Sequence, residues 1–324
     1  MFQQITKQTH TSTHTHIPTR QRWQELRASL TVLGAFAAVH LFWGSTFLAI
    51  HFAIDSIPPF LMAGSRFVIA GAILYIWARW RGAPRPQRLH WRTAFIIGGL
   101  MQLGGNGIVG WSEQYVPSSM AGLLVSTVPM WVVVIGVVLN RKRPSWAVIA
   151  ALGLGLLGVG LLFRPGGIAS SDSRALTAML ILLAACFSWA LGTHYSRTAV
   201  QPTSFNMATG MNLLAGGFLL LVFSGINGEY AGFDITAVTF KSIMAVLYLV
   251  VFGSIIGFSA YMWLVKTTTP ARASSNFYVN PVVAVFLGWL LVGETITSMT
   301  LVAAAVIIGA VIMIVTQKKP AKAN

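Results

Sequence analysis

The sequence predicts an all-α membrane protein with ten transmembrane helices, arranged as two inverted five-helix repeats. Of its 324 residues, 55% are hydrophobic and 9% are charged. Its mean hydropathy of +0.71 is far above that of soluble domains. Apolar runs of about 20 residues, the length that crosses a bilayer as a helix, recur along the chain. Residues also match between the two halves at a nearly constant offset.

The first 30 residues are polar and contain His10, His14 and His16. A metal-binding tail is one interpretation, but the lack of an apolar run favours a disordered cytoplasmic tail over residues 1–30. The first span, about 31–53, is too long for the apolar region of a cleaved signal peptide. All spans are predicted to be helices, because an open sheet edge cannot lie in lipid. The other nine cover roughly 59–79, 92–112, 117–139, 145–163, 175–197, 205–225, 241–264, 270–292 and 296–316.

Lysine and arginine lie in short clusters between the spans, so the net charge of +15 does not indicate a nucleic-acid partner. The side that carries both termini holds 18 of the 22 Lys and Arg residues, and the opposite side holds 3. Connections rich in Lys and Arg stay in the cytoplasm. Both termini are therefore predicted to be cytoplasmic, including a basic tail over residues 317–324.

The two halves carry matching features. Pro129 and Pro281 interrupt apolar spans at an offset of 152 residues, and the same offset relates Gly105 to Gly257. Because each half has five helices, an odd number, the second copy must cross the membrane the other way up. Such inverted repeats place two equivalent gates around one central site. The predicted repeats cover residues 31–163 and 164–316.

The ninth span indicates the wall of a pathway. Pro281 has no N–H, so the carbonyl one turn earlier loses its helical partner and must face protein or a wet cavity. Asn276 and Asn280 lie four residues apart and share one helix face. We interpret Pro129 and Pro281 as helix breaks for gating.

The first and sixth spans supply matched aromatic candidates. Trp43 and Thr46 lie mid-span, and Trp189 is followed by His194 and Tyr195. The tryptophans lie too deep to belong to an interfacial belt. They are either an aromatic wall for a substrate or packing partners for neighbouring glycines. Histidine as a residue type changes charge near neutral pH, but a hydrogen bond in the core or cavity is the favoured role of His194.

Two polar residues stand out inside other spans. Asn106 requires a partner or a cavity at its depth. Arg66 lies about two turns into the second span, where a cation marks a functional site by default, for instance opposite a carboxylate substrate. A structural role, in an ion pair or in bonds to freed carbonyls, is the favoured interpretation of Arg66.

All seven acidic residues fall in loops or at span ends. The sequence thus lacks the mid-span carboxylate of a drug–proton antiporter. No nucleotide loop, metal triad or paired-carboxylate site is recognisable. We therefore expect no cofactor, no metal and no enzymatic activity.

The segments WGSTFLAI, RFVIAGAIL and FYVNPVVAVFLGWLLVGETIT resemble the EamA family of the drug/metabolite transporter superfamily over about residues 31–316. This resemblance implies a bacterial inner-membrane protein that exports amino acids or other small metabolites. Glu294, which ends the ninth span, is matched by Lys142 in the first half, so it is expected to cap its own repeat. The resemblance implies a central cavity lined by Trp43, Asn106, Trp189, Tyr195, Tyr261, Asn276, Tyr278 and Asn280.

The leading hypothesis is a secondary transporter for neutral or zwitterionic solutes. Its partners would be a small-molecule substrate and the lipid bilayer. A membrane-embedded enzyme acting on a lipid or isoprenoid is the alternative, but such enzymes cluster acids or histidines for their chemistry. A channel would need a continuous polar stripe. The small residues of the fifth and tenth spans indicate scaffold helices or a homodimer contact.

Overall fold

The computed structural model describes residues 19–141, 145–162, 173–268 and 276–316, which are predominantly helical and include no strand. We refer to α1–α5 as the first half and to α6–α10 as the second half. The helices are α1 (Thr19–Ile54), α2 (Pro59–Trp80), α3 (Arg88–Ser112), α4a (Ser118–Val125), α4b (Val128–Asn140), α5 (Trp146–Leu162), α6 (Ser173–Thr198), α7 (Phe205–Ile226), α8 (Phe240–Thr267), α9 (Asn276–Val292) and α10 (Ser298–Thr316).

Within the described ranges, 7 helical stretches are long and apolar enough to cross a membrane. They lie in α1, α2, α3, α4a with α4b, α6, α7 and α8. Shorter apolar stretches, Ile149–Leu161, Val279–Val292 and Ser298–Ala310, lie in α5, α9 and α10. The all-helical prediction is confirmed, while the number of ten spanning helices stays a prediction.

Contacts between Cα atoms divide the chain into two units, Met1–Gly34 and Ala35–Asn324. In the first unit, the described residues form the beginning of α1 from Thr19 onward, inside the region expected to be a disordered tail. Arg, Gln, Glu and Leu dominate this segment and have high helix propensity, so the helix extends beyond the apolar run. The three tail histidines lie outside the described residues. All other helices belong to the second unit.

α3 and α8 each contain a ten-residue π-helical segment, Gly98–Gly107 and Leu249–Phe258. π turns are rare and usually occur as single bulges at functional positions. Here two long ones occupy corresponding positions of the two halves.

α2 and α7 pack antiparallel with their backbones in close contact. Gly71 lies against Gly210, and Gly64 lies against Gly217, so the partner number falls as the position in α2 rises. A Cβ atom on Gly71 would lie 2.9 Å from the Gly210 carbonyl oxygen, and one on Gly217 would lie 2.9 Å from that of Gly64. Small residues are what allow two helix backbones to approach this closely.

α5 and α10 also pack against each other through small residues. A Cβ atom on Gly155 would lie 3.5 Å from the Ala310 Cβ atom, and one on Gly158 would lie 2.7 Å from Ile307. The partner number again falls along α5, so this pair is antiparallel too. These contacts account for Gly155 and Gly158 as scaffold packing, whereas Cβ atoms on Gly153 and Gly160 would have nothing within 4 Å. A homodimer contact stays a prediction.

The helix around Pro129 is divided, with Ser126 and Thr127 between α4a and α4b. Pro129 is the second residue of α4b, where the missing N–H has no helical partner to lose. The Ser126 and Thr127 hydroxyls donate to carbonyls in the last turn of α4a at 2.6 and 2.8 Å. The two hydroxyls therefore donate hydrogen bonds to backbone carbonyls at the break, which lipid could not do. Pro281, in contrast, lies inside α9.

Glu229 and Glu294 each follow a glycine of positive φ, at the ends of α7 and α9. Glu229 accepts a 2.8 Å hydrogen bond from the backbone N–H of Leu61, in the first turn of α2. Glu294 accepts from the N–H and hydroxyl of Ser118, the first residue of α4a, at 2.9 and 2.7 Å. A carboxylate at a helix N-terminus satisfies unpaired N–H groups and the helix dipole. The described bonds of Glu294 thus cap a helix of the opposite half. The sequence had instead predicted that Glu294 caps its own repeat.

Candidate functional site

A cavity of about 60 Å³ lies among the helices of the second unit. Its wall is mostly apolar and includes residues on both sides of the α4 break, Val125 and Val128. The polar side chains that line it are Thr46, Arg66, Asn106 and Asn280.

Trp43 on α1 and Trp189 on α6 line the cavity and contact each other edge to face, with ring centroids 5.6 Å apart. Each rests on a glycine of the opposite half. A Cβ atom on Gly257 would lie 2.7 Å from Trp43 Cδ1, and one on Gly105 would lie 2.8 Å from Trp189 Cε3. The Trp43 indole N–H also donates to the Gly253 carbonyl at 3.0 Å. The same rings therefore pack on glycine and form the cavity wall.

Tyr261 lies fully buried beside the two tryptophans. It is not among the described residues that line the cavity. Its ring centroid is 5.0 Å from that of Trp43, and its hydroxyl accepts from the Trp189 indole N–H at 3.2 Å. The Thr193 hydroxyl and the Tyr261 hydroxyl share a further bond of 2.9 Å. Tyr261 thus fixes the orientation of the aromatic wall from behind.

Asn106 lines the cavity from α3 and donates from its amide nitrogen to Gln102 Oε1 at 2.8 Å. Gln102 is fully buried and was missed in the sequence, although its position four residues before Asn106 places both on one helix face. On α1, the Thr46 hydroxyl donates to the carbonyl of Trp43 at 2.6 Å. The hydroxyl of Thr46 is thus engaged within its own helix.

Asn280 is 3% exposed and lines the cavity from α9. Its Oδ1 atom has no hydrogen-bond partner among the described residues. The side chains of Asn276 and Tyr278 lie outside the described part of the structure, so their predicted roles stay predictions.

Arg66 is 4% exposed and lines the cavity from α2. Its Nε and Nη1 atoms have no hydrogen-bond partner among the described residues. The favoured structural interpretation, an ion pair or bonds to freed carbonyls, therefore has no support from the described contacts. Glu113, at the end of α3, is 5% exposed and interacts electrostatically with Arg66. The sequence placed Glu113 at a span end and gave no sign of this burial.

His194 and Tyr195 are not among the described residues that line the cavity. His194 Nε2 instead bonds to the carbonyl of Val132 on α4b, at 2.8 Å. On a helix, five residues correspond to a rotation of roughly 140°. His194 therefore points away from the face that carries Trp189.

A family comparison agrees with this architecture: a model of the EamA-like transporter family matches residues 30–164 and 176–316. The chain belongs to the EamA-like transporter family. As an EamA protein it is a multi-pass membrane transporter of the drug/metabolite transporter superfamily.

Three comparisons with individual proteins are informative. The uncharacterized inner membrane transporter YedA of Escherichia coli K12 is 36% identical over 296 residues, covering 90% of this chain and 93% of YedA. A probable terminal-alkyne amino-acid exporter of Streptantibioticus cattleyicolor is 25% identical, covering 84% and 89% of the two chains. A crystal structure that is 22% identical aligns with a TM-score of 0.63 over 88% of this chain and 96% of that one, which shows a shared fold.

Proposed function

We propose that this EamA protein is a secondary transporter that exports amino acids or related neutral and zwitterionic metabolites by alternating access. The observation that carries the proposal is the cavity, whose wall combines matched tryptophans from both halves with polar atoms that have no hydrogen-bond partner among the described residues. A site between two equivalent halves can open to either side as the halves rock against each other. The aromatic rings would contact the apolar part of the solute.

The packing of equivalent helices supports inverted repeats. α2 and α7 are the second helices of their halves and run antiparallel, as do α5 and α10, the fifth. An axis in the membrane plane would relate equivalent helices in this way. We therefore propose ten membrane crossings, with repeats over residues 31–163 and 164–316 and with polar tails before and after them.

The proposed location is the bacterial inner membrane, as in the name of YedA, with both termini in the cytoplasm. The distribution of Lys and Arg between the two sides supports this orientation. The name of the Streptantibioticus cattleyicolor relative, a probable terminal-alkyne amino-acid exporter, supports the substrate class and the outward direction.

Transport is tested with purified protein in liposomes loaded with a mixture of amino acids, with and without a pH gradient. Selective and saturable efflux above that of protein-free liposomes is the expected result. Efflux that requires the gradient would indicate proton coupling. Efflux no faster than in protein-free liposomes would contradict amino-acid export.

The site is tested with Asn280→Leu, which removes an amide that lines the cavity. Asn212→Leu is the matched control, because Asn212 is 1% exposed but is not a lining residue. We expect Asn280→Leu to lower efflux by about tenfold, the effect of one lost polar contact to the solute. Asn212→Leu should retain most of the efflux. Equal efflux in both variants, each folded by gel filtration, would contradict the site.

A further inference from the structure

Arg66 is a buried cation on the cavity wall. The side chain is 4% exposed, yet its Nε and Nη1 atoms have no hydrogen-bond partner among the described residues. Its guanidinium carbon lies 4.2 Å from the ring centroid of the adjacent Phe67, which supplies no acceptor oxygen. Buried charges are normally paired and hydrogen-bonded because desolvation is costly. The Nε and Nη1 groups of Arg66 can therefore donate to an acceptor that the described residues do not supply.

Glu113 interacts electrostatically with Arg66 but does not form an ion pair with it within 4.0 Å. It interacts electrostatically with Arg66, and both of its carboxylate oxygens are buried without a hydrogen-bond partner. Within the described ranges, an ion pair closer than 4.0 Å occurs between Lys241 and Asp55 but not between Arg66 and Glu113. Glu113 also does not line the cavity. It thus offsets the charge of Arg66 without a hydrogen bond to Nε or Nη1.

We propose that Arg66 binds the carboxylate group of the transported solute, and that Asn280 Oδ1 accepts a hydrogen bond from a donor on the same solute. This inference rests on the proposed transport function and narrows its substrate class to carboxylic acids, with α-amino acids as the best match. The planar guanidinium of arginine can donate two parallel hydrogen bonds to a carboxylate, whereas the ammonium group of lysine acts as a point charge. An ammonium group beside the carboxylate would be the donor that reaches Asn280.

The surrounding charge favours a monocarboxylate over a dianion. Arg66 and Glu113 together carry no net charge when both are ionised, so a zwitterionic amino acid leaves the group neutral and a simple monocarboxylate adds one negative charge. A phosphate ester adds up to two negative charges and is repelled more strongly by Glu113. Trp43 and Trp189 then contact the part of the solute that carries no charge.

Binding is measured as thermal stabilisation of the full-length protein in detergent by free amino acids, by their amides, and by acetate and benzoate. We expect a free acid to stabilise the protein while its amide does not. Arg66→Gln should weaken the apparent affinity for the acid by about tenfold or more, because a charge-assisted bond is lost. Arg66→Lys should retain part of the affinity. Arg81→Gln, which changes an exposed arginine at the end of the same helix, should retain all of it.

Glu113→Gln gives a result that a structural role of Arg66 would not produce. Removal of the nearby negative charge should tighten binding of the acid. Equal stabilisation by acid and amide, no stabilisation by any carboxylate, or full binding by Arg66→Gln would overturn the proposal. If Arg66→Gln does not fold, the comparison of acid with amide on the wild-type protein and on Arg66→Lys still decides it.

The same ligands in the liposome assay separate this inference from the transport function. Carboxylate-selective binding without efflux would contradict transport but support the role of Arg66. Equal efflux of acid and amide would support transport and overturn the role of Arg66.

Discussion

Replacement of Glu294 by glutamine tests whether one carboxylate joins the two halves at the end of α9. The carboxylate accepts from Ser118 N and Oγ at 2.9 and 2.7 Å, and from Ser119 N at 3.1 Å. Glutamine keeps one acceptor oxygen but places an NH₂ group where the second oxygen was. One donor of α4a therefore loses its acceptor, and the helix N-terminus loses its negative charge.

The expected cost follows from these contacts. Loss of a cap bond costs about 1 kcal/mol, and loss of a charge at a helix N-terminus costs about 0.3–1 kcal/mol. The weakening of the remaining charge-assisted bonds adds about 0.5–1 kcal/mol. We therefore expect Glu294→Gln to lower the free energy of unfolding by about 2–3 kcal/mol.

The free energy of unfolding is measured by reversible denaturation in mixed micelles. Asp55→Asn is the control, because the Asp55–Lys241 ion pair also joins the halves but has side-chain exposures of 44% and 55%. An exposed pair contributes about 0–1 kcal/mol. A double-mutant cycle with Ser118→Ala should give a coupling energy of about 1 kcal/mol. The reasoning is refuted if Glu294→Gln costs no more than Asp55→Asn, or if the cycle is additive within about 0.5 kcal/mol.

Two further predictions concern contacts between the halves. A Cβ atom on Gly44 would lie 2.6 Å from Val283 Cβ, so Gly44→Ala should lower the free energy of unfolding by about 1–3 kcal/mol. Gly153→Ala, with nothing within 4 Å, should leave it unchanged or raise it by up to about 1 kcal/mol, and equal effects would contradict the close contact. Glu229→Gln, which weakens the cap at Leu61, should cost about 1–3 kcal/mol by the same denaturation assay. An unchanged midpoint would show that Glu229 does not stabilise α2.

Part of the site was predictable because helix periodicity is local. Trp189 and Thr193 share a face at four-residue spacing, whereas His194 falls on another, so helix geometry alone could have separated His194 from the cavity. The same spacing relates Gln102 to Asn106 and could have revealed Gln102. Tyr261 could not be assigned in this way, because its position behind the tryptophans depends on the packing of α1, α6 and α8.

The sequence by itself determined that this is a helical membrane protein of the EamA family with two matching halves. These conclusions rest on the length of apolar runs, the positions of prolines and the distribution of Lys and Arg. Each of these features belongs to a single helix or connection, so it can be recognised without knowing how the helices pack. Only the tertiary structure decided that Trp43 rests on Gly257 and that Glu294 caps α4a. It also decided that Arg66 lines the cavity with two nitrogen atoms that have no hydrogen-bond partner in the described part of the chain. These facts depend on contacts, or on their absence, between residues far apart in the chain. Which side chains meet there is set by how the helices pack, and no local pattern records it.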